Sequence, residues 1–319
     1  MNSKPVIGIS ACLTGDTVRF DGGHKRMPFV MDELANWVTF RPVCPEMAVG
    51  LPSPRPALRL VNTTDNGIRL RFSNEPHEDI TDKMQAFSDN YVNNIGTLSG
   101  FIVCAKSPSC GMERVRLYDE ANQRGKKAGT GIFTATLMAR YPWLPVEEDG
   151  RLHDPMLREN FVLRIYALHE LNQVYATGLT RQSLLEFHSR YKLLLLAHHQ
   201  PGYRELGRFV AHLHEWDDLG AFFTAYREKL MALLSHPATR RNHTNVLMHI
   251  QGYFRKQLNA RQRAELRNVI IEYRSGQLPI LAPLTLLQHY LAEYPDDYLS
   301  TQKYFAPYPA PLRLRLPES

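Results

Sequence analysis

The spacing of hydrophobic residues changes near the middle of the chain. In the first half, short apolar runs at 6–10, 37–40 and 101–105 end in turns and alternate with stretches of helical spacing. Such short, partly β-branched runs predict buried strands of a parallel sheet. Past residue 150, apolar residues recur at i, i+3 and i+4, as in amphipathic helices. The predicted fold class is α/β: a small three-layer, parallel-sheet (Rossmann-like) domain followed by an all-α helical domain.

Helices and a hairpin complete the predicted first half. Helical spacing is present at 27–36, 80–98 and 132–140. Thr81 and Asp82 are residue types suited to cap the second of these helices. Apolar runs at 58–61 and 68–72 flank a cluster of turn-forming residues, which predicts a hairpin.

Prolines and an acidic run at 141–150 predict a solvated linker. The domains are therefore expected at 1–145 and 151–319. In the second domain, six helices are predicted, at 155–176, 181–199, 219–235, 239–259, 260–275 and 284–293.

Composition narrows the class of protein. The 319 residues are 44% hydrophobic and 22% charged, which is typical of a globular chain with two domains. No apolar run approaches the roughly 20 residues that cross a bilayer, and the first residues are too strand-like for a signal peptide. Four cysteines in this length do not make a disulfide framework. We therefore expect a cytoplasmic protein without a membrane partner.

Charge is distributed unevenly between the two halves. Residues 1–150 contain 17 Lys and Arg against 17 Asp and Glu, whereas residues 151–319 contain 21 against 15. The net charge of +6 therefore lies entirely in the second half. An excess of this kind suits an acidic polymer such as nucleic acid, although +6 over 169 residues is also compatible with an ordinary solvated surface.

Cys12, Cys44 and Cys110 each lie in a turn that follows an apolar run. Because the carboxyl ends of parallel strands face one crevice, these thiols are expected to converge if the strands are neighbours. Three thiolates indicate an iron–sulfur cluster or a metal with an open position. Zinc is the rival, but its usual Cys-x-x-Cys pairs are absent. Cys104 lies within an apolar run and is expected to act as a small buried hydrophobe.

Polar residues next to these cysteines are candidates for chemistry. Glu46 lies two residues after Cys44, where a carboxylate can deprotonate a water beside a metal centre; the alternative is a surface residue that caps the next helix. Lys106, Ser107 and Ser109 precede Cys110 and can bind a substrate carbonyl or a developing anion, or simply form a turn.

Two further loops are expected to reach the same crevice. Arg19 and Asp21 lie in a glycine-rich loop after Cys12, where they can line a pocket for a polar heterocycle or pair with each other. A proline-rich turn at 50–56 delivers Arg55. No Walker motif and no Gly-x-Gly-x-x-Gly after a strand is present, so the sequence gives no indication of nucleotide-dependent chemistry.

Three segments together resemble the thiouracil desulfidase (TudS-like) family: Ile9-Ser10-Ala11-Cys12-Leu13-Thr14-Gly15, Cys44-Pro45-Glu46 with the turn at 50–55, and Lys106-Ser107-Pro108-Ser109-Cys110-Gly111. The resemblance implies a [4Fe-4S] cluster held by Cys12, Cys44 and Cys110, with one open iron. It also implies that Glu46 is the acid or base and that Ser107 or Ser109, with Ser107 preferred, lies near that iron.

The second half resembles the YbgA-like helical domain, notably in the segments 187–198, 252–256 and 286–290. The fusion is similar to RudS-type proteins, which implies desulfidation of 4-thiouridine in tRNA to uridine, with release of sulfide. Phosphate contacts are expected from cationic residues interleaved with aromatic ones, although a solvated helix face is the alternative. The candidates for RNA binding are Lys192, Arg240, Arg241, His243, Arg255, Lys256 and Arg263.

Three alternatives to this function stay open. Free thiouracil or a thionucleoside can be the substrate in place of tRNA. A sulfur-inserting enzyme can use a similar cluster, although such enzymes normally need an activation motif that this chain lacks. A non-catalytic RNA-binding protein with zinc on its cysteines is the third possibility, and iron content distinguishes it from the other two.

Overall fold

The computed structural model describes residues 3–65, 67–75, 77–119 and 125–315. The chain divides into two compact units, Met1–Asp154 and Pro155–Ser319. Strands are confined to the first unit within the described residues, and the second unit is helical. Among those residues no helix is long and apolar enough to cross a membrane.

A four-stranded parallel sheet forms the centre of the first unit. Its strands, in spatial order, are β2 (Thr39–Val43), β1 (Val6–Ser10), β5 (Gly100–Val103) and β8 (Val146–Glu148). The predicted parallel sheet is confirmed. β1 and β5 are buried, but β2 begins two residues later than predicted and is half-exposed, because it lies at the edge of the sheet.

A second four-stranded sheet lies in the same unit. Its strands, in spatial order, are β4 (Gly67–Phe72), β3 (Leu58–Thr63), β6 (Val115–Asp119) and β7 (Gly125–Gly129). The predicted hairpin is its β3–β4 pair. β6 is parallel to β3 and antiparallel to β7. Neither β6 nor β7 was predicted, since Gly125–Gly129 has only one buried residue and no apolar alternation.

Two of the three helices predicted in the first unit are present among the described residues, and a short helix that was not predicted follows Cys44. The described α-helices there are α1 (Pro45–Ala48), α2 (Thr81–Asn94) and α3 (Ile132–Arg140). The predicted helix at 27–36 is instead a π turn at Phe29–Glu33 followed by a 3-10 turn at Leu34–Asn36. The predicted cap at Thr81 is wrong, because the backbone N–H of Thr81 itself donates to Asp79 Oδ1 (2.9 Å).

The predicted solvated linker is also wrong. Val146–Glu148 is strand β8, paired with β5 in the central sheet. The three acidic residues are buried, with exposures of 7% for Glu147, 7% for Glu148 and 3% for Asp149. Each carboxylate has a partner: Arg151 for Glu147, two backbone N–H groups for Glu148, and Lys25 for Asp149. Buried charge of this kind is tolerated because it is hydrogen-bonded.

The helical unit follows the predicted spacing closely. Its described α-helices are α4 (Pro155–Ala176), α5 (Arg181–His198), α6 (Gln200–Ala211), α7 (Leu219–Leu234), α8 (Arg240–Tyr253), α9 (Ala260–Ser275), α10 (Leu281–Glu293) and α11 (Asp297–Ser300). α6 and α11 were not predicted. The predicted helix at 239–259 ends at Tyr253.

Replacing Gly8 by alanine should destabilise the first unit by about 1–3 kcal/mol, the usual cost of overpacking a core. Gly8 lies in β1 beside buried Phe101, and an added Cβ would come within 2.2 Å of that ring. Gly207→Ala is the matched control, because nothing lies within 4 Å of its added Cβ. Thermal unfolding followed by circular dichroism measures both variants. Equal midpoints for Gly8→Ala and the parent chain would contradict the prediction.

Candidate metal centre

The carboxyl ends of the four parallel strands each present a polar or thiol side chain to one crevice. Across the sheet, β2, β1, β5 and β8 are followed within two residues by Cys44, Cys12, Cys104 and Asp149. Cys110 lies on the loop that leaves β5. The sheet order therefore brings together residues that are up to 137 positions apart in the chain.

All four cysteines line a single cavity of about 380 Å³, and all are free thiols. Cys12, Cys104 and Cys110 are buried and Cys44 is half-buried. The sequence predicted that Cys12, Cys44 and Cys110 converge, and the structure brings them together. Cys104, expected to be a hydrophobe outside the site, also lies in the cavity wall, among polar residues.

Burial and crowding oppose the ionisation of three of the four thiols. A hydrogen bond with Cys104, together with burial, raises the pKa of Cys12, and the same hydrogen bond lowers the pKa of Cys104. Burial raises the pKa of Cys110 and of Cys44. Several thiolates in one buried cavity repel one another, and a cation bound among them would relieve that repulsion.

Glu46 is held from two sides at the edge of the cavity. Its Oε2 accepts hydrogen bonds from Arg55 Nε (2.8 Å) and Nη2 (2.6 Å), and its Oε1 accepts one from the Ser109 hydroxyl (2.9 Å). The side chains of Arg55 and Glu46 are only 3% and 12% exposed. Arg55 also donates to the carbonyl oxygens of Val18 (2.9 Å) and Pro52 (3.0 Å). The Glu46 carboxylate therefore has a fixed orientation.

The two predicted serines have different surroundings. Ser107 lines the cavity, but its Oγ accepts the backbone N–H groups of Ser109 (3.2 Å) and Cys110 (3.1 Å), so it shapes the turn that carries Cys110. Ser109 is fully buried, and its hydroxyl contacts Glu46. The structure thus places Ser109, and not the preferred Ser107, next to the carboxylate. Lys106 lines the cavity from a left-handed backbone conformation, with φ of 67°.

Arg19 and Asp21 pair with each other. Arg19 lines the cavity, and its Nε donates to Asp21 Oδ1 at 3.4 Å. Asp21 is exposed, also accepts the backbone N–H of Gly23, and is outside the lining of the cavity. Arg55, predicted to contact substrate, mainly holds Glu46. Of the predicted substrate contacts, Arg19 and Lys106 also line the cavity; Lys106 is exposed, whereas Arg19 is half-buried and paired with Asp21.

Sequence reasoning missed three residues of this site. Lys25 lines the cavity, and its Nζ lies 2.6 Å from Asp149 Oδ2. Asp149 Oδ1 accepts the backbone N–H of Ala105, and Ser10 Oγ accepts that of Cys104, so both fix the loop after β5. Asp149 comes after two glutamates and a proline-rich stretch, so the local sequence indicated a linker and gave no signal for a strand.

Comparison with known proteins agrees with this geometry. Residues 7–149 match the family described as 2-thiouracil desulfurase. Residues 192–309 match a family described as a protein of unknown function (DUF1722). The Escherichia coli (strain K12) protein YbgA, described as uncharacterized, is 51% identical over 157 residues, which are 49% of this chain and 93% of YbgA. The chain belongs to the YbgA family and carries a TudS-like domain in its first half.

One solved structure was also found to be similar. It is the [4Fe-4S]-dependent thiouracil desulfidase TudS, with 27% identity and a TM-score of 0.40, covering 50% of this chain and 100% of TudS. The assignment of the TudS-like domain rests on the family match, which places the first unit in a family of desulfidases.

The cavity of the TudS-like domain suits a thiophilic metal centre. Its donors are thiols, the soft ligands that iron–sulfur clusters take. Among the described residues, no three His, Cys, Asp or Glu side chains are arranged to hold a single metal ion.

The RNA-binding candidates of the YbgA-like domain fall into two groups. Arg241, Arg255 and Lys256 are exposed, and Lys192 lines a surface groove. The other three have hydrogen-bond partners within the fold, although Arg240 and Arg263 are exposed to solvent. Arg240 donates to the carbonyl oxygens of Tyr273 and Leu278, Arg263 donates to those of Leu258 and Arg255, and His243 bonds to the Tyr304 hydroxyl. Burial also holds the pKa of His243 well below its usual value, so it carries no charge near neutral pH. Arg241, Arg255, Lys256 and Lys192 are therefore the stronger candidates, since the donors of Arg240 and Arg263 already have partners.

Proposed function

We propose that the chain is an iron–sulfur-dependent, non-redox desulfidase that converts 4-thiouridine in tRNA to uridine and releases sulfide. The observation that carries the desulfidase is the single cavity that gathers four free thiols and the Glu46–Arg55 pair, in a domain of the 2-thiouracil desulfurase family. The tRNA substrate is supported by the excess positive charge of the second half and its exposed cations.

Cys12, Cys44 and Cys110 would hold a [4Fe-4S] cluster. When bound, the cluster would supply an open iron that acts as a soft Lewis acid toward the sulfur of a thiolated pyrimidine. The thiols are already gathered around one cavity, so binding needs little rearrangement of the chain.

Glu46 would take a proton from a water molecule that attacks the thiolated ring carbon. Arg55 keeps the carboxylate pointed at the cavity, and Ser109 fixes its other oxygen. Lys106 and Arg19 would bind the polar edge of the pyrimidine from the cavity wall. The water oxygen replaces sulfur on the carbon, the sulfur leaves with two protons as hydrogen sulfide, and no electrons are transferred. A base in folded RNA has to leave its stack to enter, at a cost of a few kcal/mol.

Free thiouracil is the second candidate substrate. The cavity is lined by the first unit alone, and that unit matches the desulfurase family by itself. The residues proposed to bind and desulfurise the base therefore all belong to the unit that matches this family.

We expect sulfide release from thiolated tRNA by the iron-reconstituted full chain under strict anaerobiosis, accompanied by uridine in the RNA. Metal-free protein is the control and should release none. Sulfide release from free 2-thiouracil, with none from thiolated tRNA, would identify the free base as the substrate. Zinc in place of iron in the purified protein, with no activity after reconstitution, would overturn the desulfidase itself.

A further inference from the structure

The outer face of the second sheet in the TudS-like domain is cationic. Leu60, Leu70 and Leu117 point toward the hydrophobic core beneath the sheet. Because side chains alternate along a strand, the residues that precede or follow them point to the opposite face. That face carries a basic residue on every one of its four strands: Arg71 on β4, Arg59 on β3, Arg116 on β6 and Lys127 on β7.

The strand register places these four residues in one row. Arg59 is the partner of Arg71, and Arg116 is the partner of Lys127. Leu60 pairs with Leu117, so Arg59 and Arg116, one position earlier on parallel strands, are also neighbours. Adjacent strands lie about 5 Å apart, which gives a cationic row of roughly 15 Å across the sheet. We call this row, with Tyr118, the cationic sheet face.

Only part of this charge is neutralised. Asp79 accepts hydrogen bonds from Arg69 (2.8 Å) and Arg71 (3.4 Å). Although burial opposes ionisation, these contacts and those of Thr81 lower the pKa of Asp79 to about 2. Among the described residues no carboxylate pairs with Arg59, Arg116 or Lys127. Arg116 and Lys127, both exposed, are therefore available to an anionic partner, with the half-buried Arg59 between them and Arg71.

An aromatic ring lies within the same face. The Arg59 guanidinium lies 5.5 Å from the centroid of the Tyr118 ring. Gly125 is the partner of Tyr118 on β7, and a Cβ there would come within 2.6 Å of Arg116 Cγ and 3.1 Å of Tyr118 Cε1. The glycine thus leaves room for both side chains to lie over the strand. A ring flanked by cations on a sheet is a surface that stacks nucleic-acid bases while binding phosphates.

We propose that the cationic sheet face binds the phosphate backbone of an RNA chain. Charge complementarity with a polyanion selects the partner, and the part-exposed Tyr118 ring favours RNA over other polyanions. The inference rests on the proposed function only in taking that RNA to be tRNA. In this proposal the TudS-like domain contacts RNA directly. A net charge of zero over residues 1–150 does not prevent this, because the basic residues are gathered on one face.

The test compares two double variants of the full chain. Arg116→Gln/Lys127→Gln removes two exposed charges from the cationic sheet face. Lys83→Gln/Arg140→Gln removes the same two residue types from exposed positions on α2 and α3, which cover the other side of the core. Binding of unmodified, fluorescently labelled tRNA is measured by anisotropy across a salt series. No desulfidation is needed, so failure of the proposed reaction would leave this measurement informative.

We expect the sheet variant to lose about tenfold in affinity for tRNA near physiological salt. The slope of log affinity against log salt concentration should become shallower by about 1.4, because each of the two lost phosphate contacts contributes about 0.7. The helix variant should stay within about twofold of the parent chain. The proposal is overturned if both variants bind tRNA like the parent chain, or if both lose affinity equally. It is also overturned if the sheet variant loses binding to phosphatidylglycerol vesicles while its affinity for tRNA is unchanged.

Discussion

Glu46→Gln should lower the rate of sulfide release by about 10²–10⁴-fold, the usual contribution of a positioned general base, while the iron content stays unchanged. Glutamine keeps the size of the side chain but is not a base. Glu46 is the carboxylate that the structure fixes at the cavity edge, through Arg55 on one oxygen and Ser109 on the other. The measurement is single-turnover sulfide release under anaerobic conditions, with iron determined on the same sample.

Glu75→Gln is the matched control for this variant. Glu75 is an exposed residue of the same domain and is not part of the cavity lining, so its rate should equal that of the parent chain. Loss of folding is checked by the thermal midpoint, because Arg55 loses the charge of its buried partner in Glu46→Gln. A rate within about threefold of the parent chain, at equal iron content, would remove Glu46 from the proton transfer.

The convergence of the cysteines could be predicted from the sequence because the strands that carry them have a strong local signal. Val6–Ser10 and Gly100–Val103 are short, apolar and buried on both faces, as strands inside a parallel sheet are. Once the strands are parallel, the residues after them share one edge. The convergence of the cysteines therefore follows from the strand pattern alone, and no side-chain geometry is needed to predict it.

The polar partners of the site were harder to predict because their roles depend on distant contacts. Asp149 is paired with Lys25, more than 120 positions earlier, and Glu148 in the strand before it accepts backbone N–H groups from residues 112 and 113. The prolines and acidic residues of such a segment, taken alone, predict that it is exposed to solvent. The choice between Ser107 and Ser109 has the same origin, since only the fold shows which hydroxyl reaches Glu46.

The cationic sheet face could not be predicted from the net charge of the first domain. The first 150 residues have equal numbers of basic and acidic residues, which predicts no preference for a polyanion. The fold separates them, since three acidic residues are buried at 147–149 while Arg116 and Lys127 are exposed on one face. A charge count by domain cannot detect this separation, whereas strand register can.

Replacing Cys12, Cys44 or Cys110 singly by serine should reduce bound iron to background and abolish sulfide release. Each of the three thiols reaches the cavity from a different loop, so the loss of one leaves the cluster with two of its three proposed ligands. Serine is nearly isosteric, but its hydroxyl is a hard and weakly acidic donor that does not substitute for a thiolate on iron. Iron content and visible absorption of the anaerobically reconstituted protein measure the outcome before any activity is assayed.

Cys104→Ala is the decisive control, because Cys104 lines the same cavity as the three proposed ligands. It directly follows β5, and its backbone N–H is held by Ser10 Oγ at 3.0 Å, so removal of the thiol leaves the loop in place. We expect this variant to retain iron and activity. If it loses iron as completely as the three serine variants, the cluster has four protein ligands. Its iron would then offer no open position, and the substrate could not bind through sulfur as proposed.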